Sequence, residues 1–158
     1  AVTGIDLDLS FYQDLAERSD KYRFVKDTSG NMEQAMSLIY NLKGKLGVMV
    51  GLDTIILPAF AMGAIGTIWG APNWAPRECV RIWENVQAGN LEQAIEEYGL
   101  MWNALDFIDR EGYAVGTKTA CRLMGQDVGV TRAPYRPFPA EKEQELDRLL
   151  EPLRAAQG

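Results

Sequence analysis

Three apolar runs, YRFVK (22–26), LGVMVG (46–51) and AIGTIWG (64–70), are each followed within a few residues by a segment of helical character. Strand-then-helix units in succession join parallel strands, because a parallel pair needs a crossover whereas an antiparallel pair closes with a hairpin. The spacing therefore predicts an α/β architecture. After the first run, Asn31 with Gln34 three residues on reads as a helix cap, and Met32, Ala35, Met36 and Ile39 supply an apolar stripe. The second run is apolar throughout, which suits a strand covered on both faces, and TIILPAFAMG (54–63) reads as a buried helix despite Pro58. The third run leads to a helix expected over 76–89, with Pro76 in its first turn and Gly89 at its end.

From Leu91 onward the pattern is helical. Leu91, Ala94, Ile95, Tyr98, Met101, Trp102, Leu105 and Ile108 keep a helix period, and a second helix is expected over about 114–125. TRAPYRPFPA (131–140) reads as an extended connector, and Leu146, Leu149, Leu150 and Leu153 mark a last amphipathic helix. The chain thus divides into strand–helix units over 1–90 and a helical extension of the same domain over 91–158. Three such units cannot close an eight-stranded barrel, which takes about 250 residues. Either the sheet is open or the rest of a barrel lies outside these residues. The start at Ala1, without a methionine, reads as a cut end.

Composition narrows the chemistry. A formal charge of −6 and a pI near 4.7 disfavour nucleic acid and anionic membranes as partners, since neutralising phosphates needs a basic face. Pro58, Gly63 and Gly66 interrupt the longest apolar stretch, so no membrane span is expected. The chain has no histidine, which excludes Ser-His-Asp and Cys-His catalysis and His-ligated zinc within it. Cys79 and Cys121 lie far apart, outside any C-x-x-C pair, so neither a disulfide framework nor a thiolate metal site is expected, and a reducing cytoplasm fits best. Lysine, carboxylates, hydroxyls and backbone groups remain to carry any reaction.

Lys26 ends the first strand, immediately before the turn-forming DTSGN. Strand alternation puts Tyr22, Phe24 and Lys26 on one face, and if the two aromatics face a packed interior, so does the lysine. An amine in an apolar setting has a depressed pKa and a larger neutral fraction, which attack on a ketone to form a Schiff base requires. The carboxyl ends of barrel strands are also where catalytic groups gather. The bland alternative is a lysine that snorkels at a strand end and pairs with a carboxylate such as Asp27.

VKDTSGN (25–31), VGLD (50–53), GAIGTIWGAPN (63–73), AGNLEQA (88–94) and GTKTACRLMGQDVGVTRAPYRPF (116–138) together resemble, in order and spacing, the C-terminal half of the dihydrodipicolinate synthase and N-acetylneuraminate lyase superfamily. These are class I aldolases that handle pyruvate on a TIM (β/α)8 barrel with extra C-terminal helices. The resemblance implies that these residues hold about strands six to eight and that strands one to five are absent from them. It implies that Lys26 forms the imine with pyruvate or a 2-oxo acid, with no cofactor beyond that covalent imine and no metal. It carries Thr28 to a substrate-side hydroxyl, Gly51 and Asp53 to contacts with the distal part of the substrate, and Ile68 and Gly70 to the pocket lining. Close backbone packing is an equal reading for Gly51, Gly66 and Gly70, and helix capping for Asp53. Trp69 and Trp74 flank Gly70 as either a bulky apolar wall or plain packing.

Two departures follow from the same comparison. Where the synthases proper carry an arginine ahead of Thr-Gly to grip the carboxylate of aspartate semialdehyde, this chain has Val2, which cannot form that clamp. The expected activity is therefore a lyase or aldolase on a 2-oxo acid, of the hydroxylated, sugar-derived kind given Thr28 and Asp53. The alternatives are 4-hydroxy-tetrahydrodipicolinate synthase and a non-catalytic half-barrel that serves assembly. The family's pyruvate-carboxylate loop and proton-relay tyrosine would also precede residue 1. The 158 residues alone are thus expected to be inactive without an N-terminal half of the barrel as partner. A homo-oligomer, dimer or tetramer, is the expected assembly.

Overall fold

The computed structural model describes residues 4, 5 and 7–157. The contacts gather the described residues up to Trp69 into one compact unit and those from Gly70 onward into another.

The first unit opens with helix α1 (Leu9–Arg18), an element that the sequence reading passed over. Asp8 caps it, its Oδ1 accepting from the Phe11 N–H at 2.9 Å. Leu9, Tyr12, Leu15 and Ala16 share one side of it at helical spacing, although none of its residues is buried. Strand β1 (Phe24–Asp27) follows, then helix α2 (Met32–Asn41). Asn31 caps α2 as expected: its Oδ1 accepts from Glu33 N–H at 3.0 Å and Gln34 N–H at 3.2 Å. The buried stripe of α2 is Ala35, Leu38 and Ile39.

Strand β2 (Gly47–Val50) lies parallel to β1, with Phe24 opposite Gly47 and Lys26 opposite Met49. A single 3-10 turn at Asp53–Ile55 leads into helix α3 (Ile56–Ala61), which buries Ile56, Leu57, Ala59 and Phe60. Strand β3 is shorter than its apolar run predicts. Of 64–70 only Gly66 and Thr67 join the ladder, parallel to β2, with Met49 opposite Gly66. The order is β1-β2-β3. The expected parallel α/β arrangement is thus present, as a three-stranded piece.

The second unit is helical: α4 (Pro76–Gln87), α5 (Leu91–Glu111), α6 (Tyr113–Leu123) and α7 (Ala140–Gln157), close to the expected spans. Met101, Leu105 and Ile108 of α5 and Leu146, Leu150 and Leu153 of α7 are all at most 2% exposed and form its core. Glu78, 1% exposed, accepts from Gln157 Nε2 at 2.9 Å and so ties the end of α7 to the first turn of α4. Residues 124–139 form the irregular connector, without helix or strand. Both cysteines are buried; Cys121 donates to the Asn73 carbonyl at 3.3 Å, and burial pushes its thiol pKa up. No helix among the described residues is long and apolar enough to cross a membrane.

Candidate functional site

Alternation along β1 separates Phe24 and Lys26 from Val25 and Asp27, as the sequence implies, but the packed face is the other one. Asp27 is 5% exposed, its register partner Val50 is fully buried, and Val48 beside Val25 is buried too. Tyr22 is 49% and Phe24 63% exposed, and Lys26 is exposed with them. Within the described residues the condition for a dry lysine, a packed face around Tyr22 and Phe24, is not met. The helices of this unit cover one face of the sheet, and among the described residues of the unit nothing covers the other. Lys26 therefore stands in solvent here, at the carboxyl end of its strand.

Gly51 explains how the site is shaped. It follows β2, and its N–H donates to the Asp27 carbonyl at 2.8 Å, which continues the ladder past the strand end. A Cβ at this position would overlap both Lys26 Cε and Thr28 Oγ1 and would sit 3.2 Å from Lys26 Nζ. Only a glycine leaves the space in which the amine stem and the hydroxyl lie side by side. Three of the residues singled out in the sequence, from two different strand ends, thus converge on one spot. The close-packing reading of Gly51 and its site reading describe the same contact.

Asp27 was considered in the sequence only as a partner for Lys26. Its side chain leaves on the opposite face, and no ion pair joins the two. Instead Oδ1 accepts from the Ser29 N–H at 3.0 Å and Oδ2 accepts from Ser29 Oγ at 3.0 Å. Ser29 Oγ in turn accepts from the Asn31 N–H at 3.1 Å. The chain turns sharply after the lysine because of this relay, which ends at the cap of α2. The signal for it was in view as D-x-S-x-N.

The remaining candidates separate. Asp53, 3% exposed, begins the 3-10 turn two residues after Gly51. Ile68 is 52% exposed just beyond β3, where its N–H reaches the Val50 carbonyl at 3.2 Å. Gly70 belongs to the second unit, where an added Cβ would lie 2.6 Å from Tyr113 Oη and 3.1 Å from Thr117 Oγ1, so packing alone demands a glycine. Trp69 and Trp74 are 8% and 3% exposed, which fits plain packing better than an open wall. Val2 lies outside the described residues. Among those described, no cluster of three or more His, Cys, Asp or Glu side chains is placed to hold a metal.

A cleft of about 390 Å³ opens at the other end of the strands, lined by residues such as Tyr40, Lys43, Lys45, Gly47, Met62 and Ile65. Gly47 and Gly51 are four residues apart along β2, roughly 13 Å. Lys43 and Lys45 follow the C-terminus of α2, where cations complement the helix dipole, so the cleft has a local explanation and contains no candidate site residue.

Comparison with known proteins bears on this geometry. The Dihydrodipicolinate synthetase family matches residues 1–153. A 4-hydroxy-tetrahydrodipicolinate synthase of Chlorobium luteolum is 34% identical over 153 residues, covering 96% of this chain and 51% of its own length. The crystal structure of the chloride-inhibited dihydrodipicolinate synthase of Acinetobacter baumannii, complexed with pyruvate, superposes with a TM-score of 0.84 at 25% identity, covering 94% of this chain and 51% of that one. N-acetylneuraminate lyase from Fusobacterium nucleatum shares the fold, with a TM-score of 0.79 at 21% identity over 94% of this chain and 50% of its own. The chain spans about half the length of the curated relatives it matches.

Proposed function

The chain belongs to the dihydrodipicolinate synthetase family, and from that premise we propose that it carries the lysine-bearing half of a Schiff-base lyase or aldolase acting on pyruvate or a longer 2-oxo acid. The observation that carries the reading is the convergence of Lys26, Thr28 and Gly51 at the carboxyl end of a parallel sheet. In this proposal the three strands are the sixth to eighth of a (β/α)8 barrel, and the remaining strands come from an N-terminal half. Those strands would cover the open face that holds Tyr22, Phe24 and Lys26, and would supply the desolvation that the amine lacks here.

The chemistry is that of an electron sink. Lys26 Nζ adds to the C2 carbonyl of the 2-oxo acid, water leaves, and the protonated imine forms. Loss of a proton from C3 gives an enamine that attacks an aldehyde; in reverse, the imine accepts the electrons of the C3–C4 bond as it breaks. No further cofactor and no metal are needed. In this reading Thr28 Oγ1, which lies beside the lysine stem, hydrogen-bonds a substrate oxygen, and Gly51 leaves both side chains their room. Asp53, Ile68 and Gly70 are assigned to the distal end of the substrate by the resemblance. Proton transfer and the grip on the 2-oxo acid's carboxylate are assigned to the N-terminal half, so the 158 residues alone would not turn over. A homo-oligomer and a cytoplasmic location belong to the same proposal.

Synthase chemistry with aspartate semialdehyde is the second reading, favoured by the name of the Chlorobium luteolum relative at 34% identity. Val2 argues against it, since an apolar side chain offers no bidentate partner to the aldehyde's carboxylate. The experiment is a turnover comparison on the complete protein. Release of pyruvate from 3-deoxy-2-oxo sugar acids, lost in Lys26→Ala, supports the lyase reading. Condensation of pyruvate with aspartate semialdehyde at the higher kcat/KM would replace it with the synthase. Neither reaction would point to a non-catalytic assembly role.

A further inference from the structure

Resting on that reading, we propose that Asp27 is a positioning residue for the Lys26 site and acts through Ser29. Its carboxylate, on the covered side of the sheet, grips the turn on which Thr28 sits. Burial of Asp27 to 5% exposure fixes the carboxylate against the unit's interior. Both oxygens are then spent on one residue, Ser29, through its N–H and its hydroxyl, each at 3.0 Å. A carboxylate held by two bonds to the same residue leaves that residue little freedom to rotate. The hydroxyl passes the constraint on to the Asn31 N–H at 3.1 Å, and Gly30, at φ +75, provides the left-handed turn that lets the chain double back. Thr28 lies inside this closed loop, with no side-chain bond of its own among those described, and its Oγ1 nonetheless sits against Gly51 beside Lys26 Cε.

The same residue also ties the two strand ends together. Its carbonyl accepts from the Gly51 N–H at 2.8 Å, so backbone and side chain of Asp27 hold, respectively, Gly51 and the Thr28 turn. A lysine stem and a hydroxyl on one short turn and a glycine on the neighbouring strand keep their registry through a residue that touches no substrate. Small displacements at such a site are costly, because about 1 Å of misplacement can lower a rate about a hundredfold.

Ser29 is the better handle for the test, since it is only partly buried and its replacement leaves the interior intact. In the full-length protein, the rate of borohydride-trapped imine formation with pyruvate at Lys26 is measured for wild type, Ser29→Ala, Ser29→Thr and Asp27→Asn, alongside kcat, KM and melting temperature. Ser29→Ala is expected to slow trapping and kcat about tenfold or more at an almost unchanged melting temperature, and Ser29→Thr, which restores the hydroxyl, to recover most of the rate. A parallel readout does not depend on activity: the nuclear Overhauser contact between the Thr28 methyl and the Lys26 ε-protons should weaken in Ser29→Ala and return in Ser29→Thr. Wild-type rates and contacts in Ser29→Ala and Asp27→Asn overturn the proposal, as does equal impairment of Ser29→Thr and Ser29→Ala. Failure of the wild type itself to trap pyruvate contradicts the proposed function instead, and the Overhauser contact then decides the positioning role alone.

Discussion

The two units of this chain solve the burial problem to different extents. In the helical unit the core is closed: Met101, Leu105 and Ile108 on α5 and Leu146, Leu150 and Leu153 on α7 are essentially inaccessible. In the strand unit only one face of the sheet is closed, by Val48, Val50, Ile56 and Leu38, while Phe24 and Ile65 on or beside its strands stay 63% and 48% exposed. The difference teaches where chemistry can be placed. Elements that satisfy their own apolar surface hold shape, whereas a half-covered parallel sheet, a form seldom left open on one side, presents its inner residues to whatever completes it.

Four measurements break or sharpen this contrast. Leu105→Ala, which empties a filled site in the helical unit, should cost about 2–5 kcal/mol in chemical denaturation. In the full-length protein, Gly51→Ala should cost about a hundredfold in kcat, because its methyl displaces Lys26 Cε and Thr28 Oγ1. Stability should also depend on pH through Cys121. Its folded pKa is raised by burial above the ordinary 9.0, so as pH rises past 9.0 the unfolded chain loses its proton first and stability falls. The alkaline slope should be shallower in Cys121→Ala, and an unchanged slope would count against the burial argument. Phe24→Ala in the 158-residue chain should change stability within about 0.5 kcal/mol. In a complete barrel of the kind proposed, the same substitution should cost about 3–5 kcal/mol.

Much of the fold was legible because its signals are local or periodic. The α2 cap follows from Asn31, the start of α4 from Pro76, and the span of α5 from an apolar period kept from Leu91 to Ile108. What escaped was not always silent. Helix α1 buries nothing among the described residues, yet Leu9, Tyr12, Leu15 and Ala16 keep a helical spacing behind the capping carboxylate Asp8, and both cues were in view. Strand β3 reads as seven apolar or small residues, yet ladder pairing depends on how far a neighbour extends, and β2 ends at Val50, opposite Thr67.

The candidate site divides in the same way. Lys26, Thr28 and Gly51 could be marked by motif, and the structure brings them together. Which face of β1 is covered could not be read, since Tyr22, Phe24, Val25 and Lys26 give two apolar faces and only the packing of neighbours chooses between them. The pairing of Lys26 with Asp27 was only the bland alternative, and strand alternation, legible in the sequence, already sends the two to opposite sides.

The central claim is that Lys26 is the imine-forming amine. The direct measurement treats the full-length protein with pyruvate and borohydride, digests it with trypsin and maps the adduct by mass. The account predicts the reduced pyruvyl group on Lys26, within a peptide that runs uncut from Phe24 to Lys43 because the modified lysine resists cleavage. A free Lys26, cut normally, with the label on another lysine or on none, would contradict it.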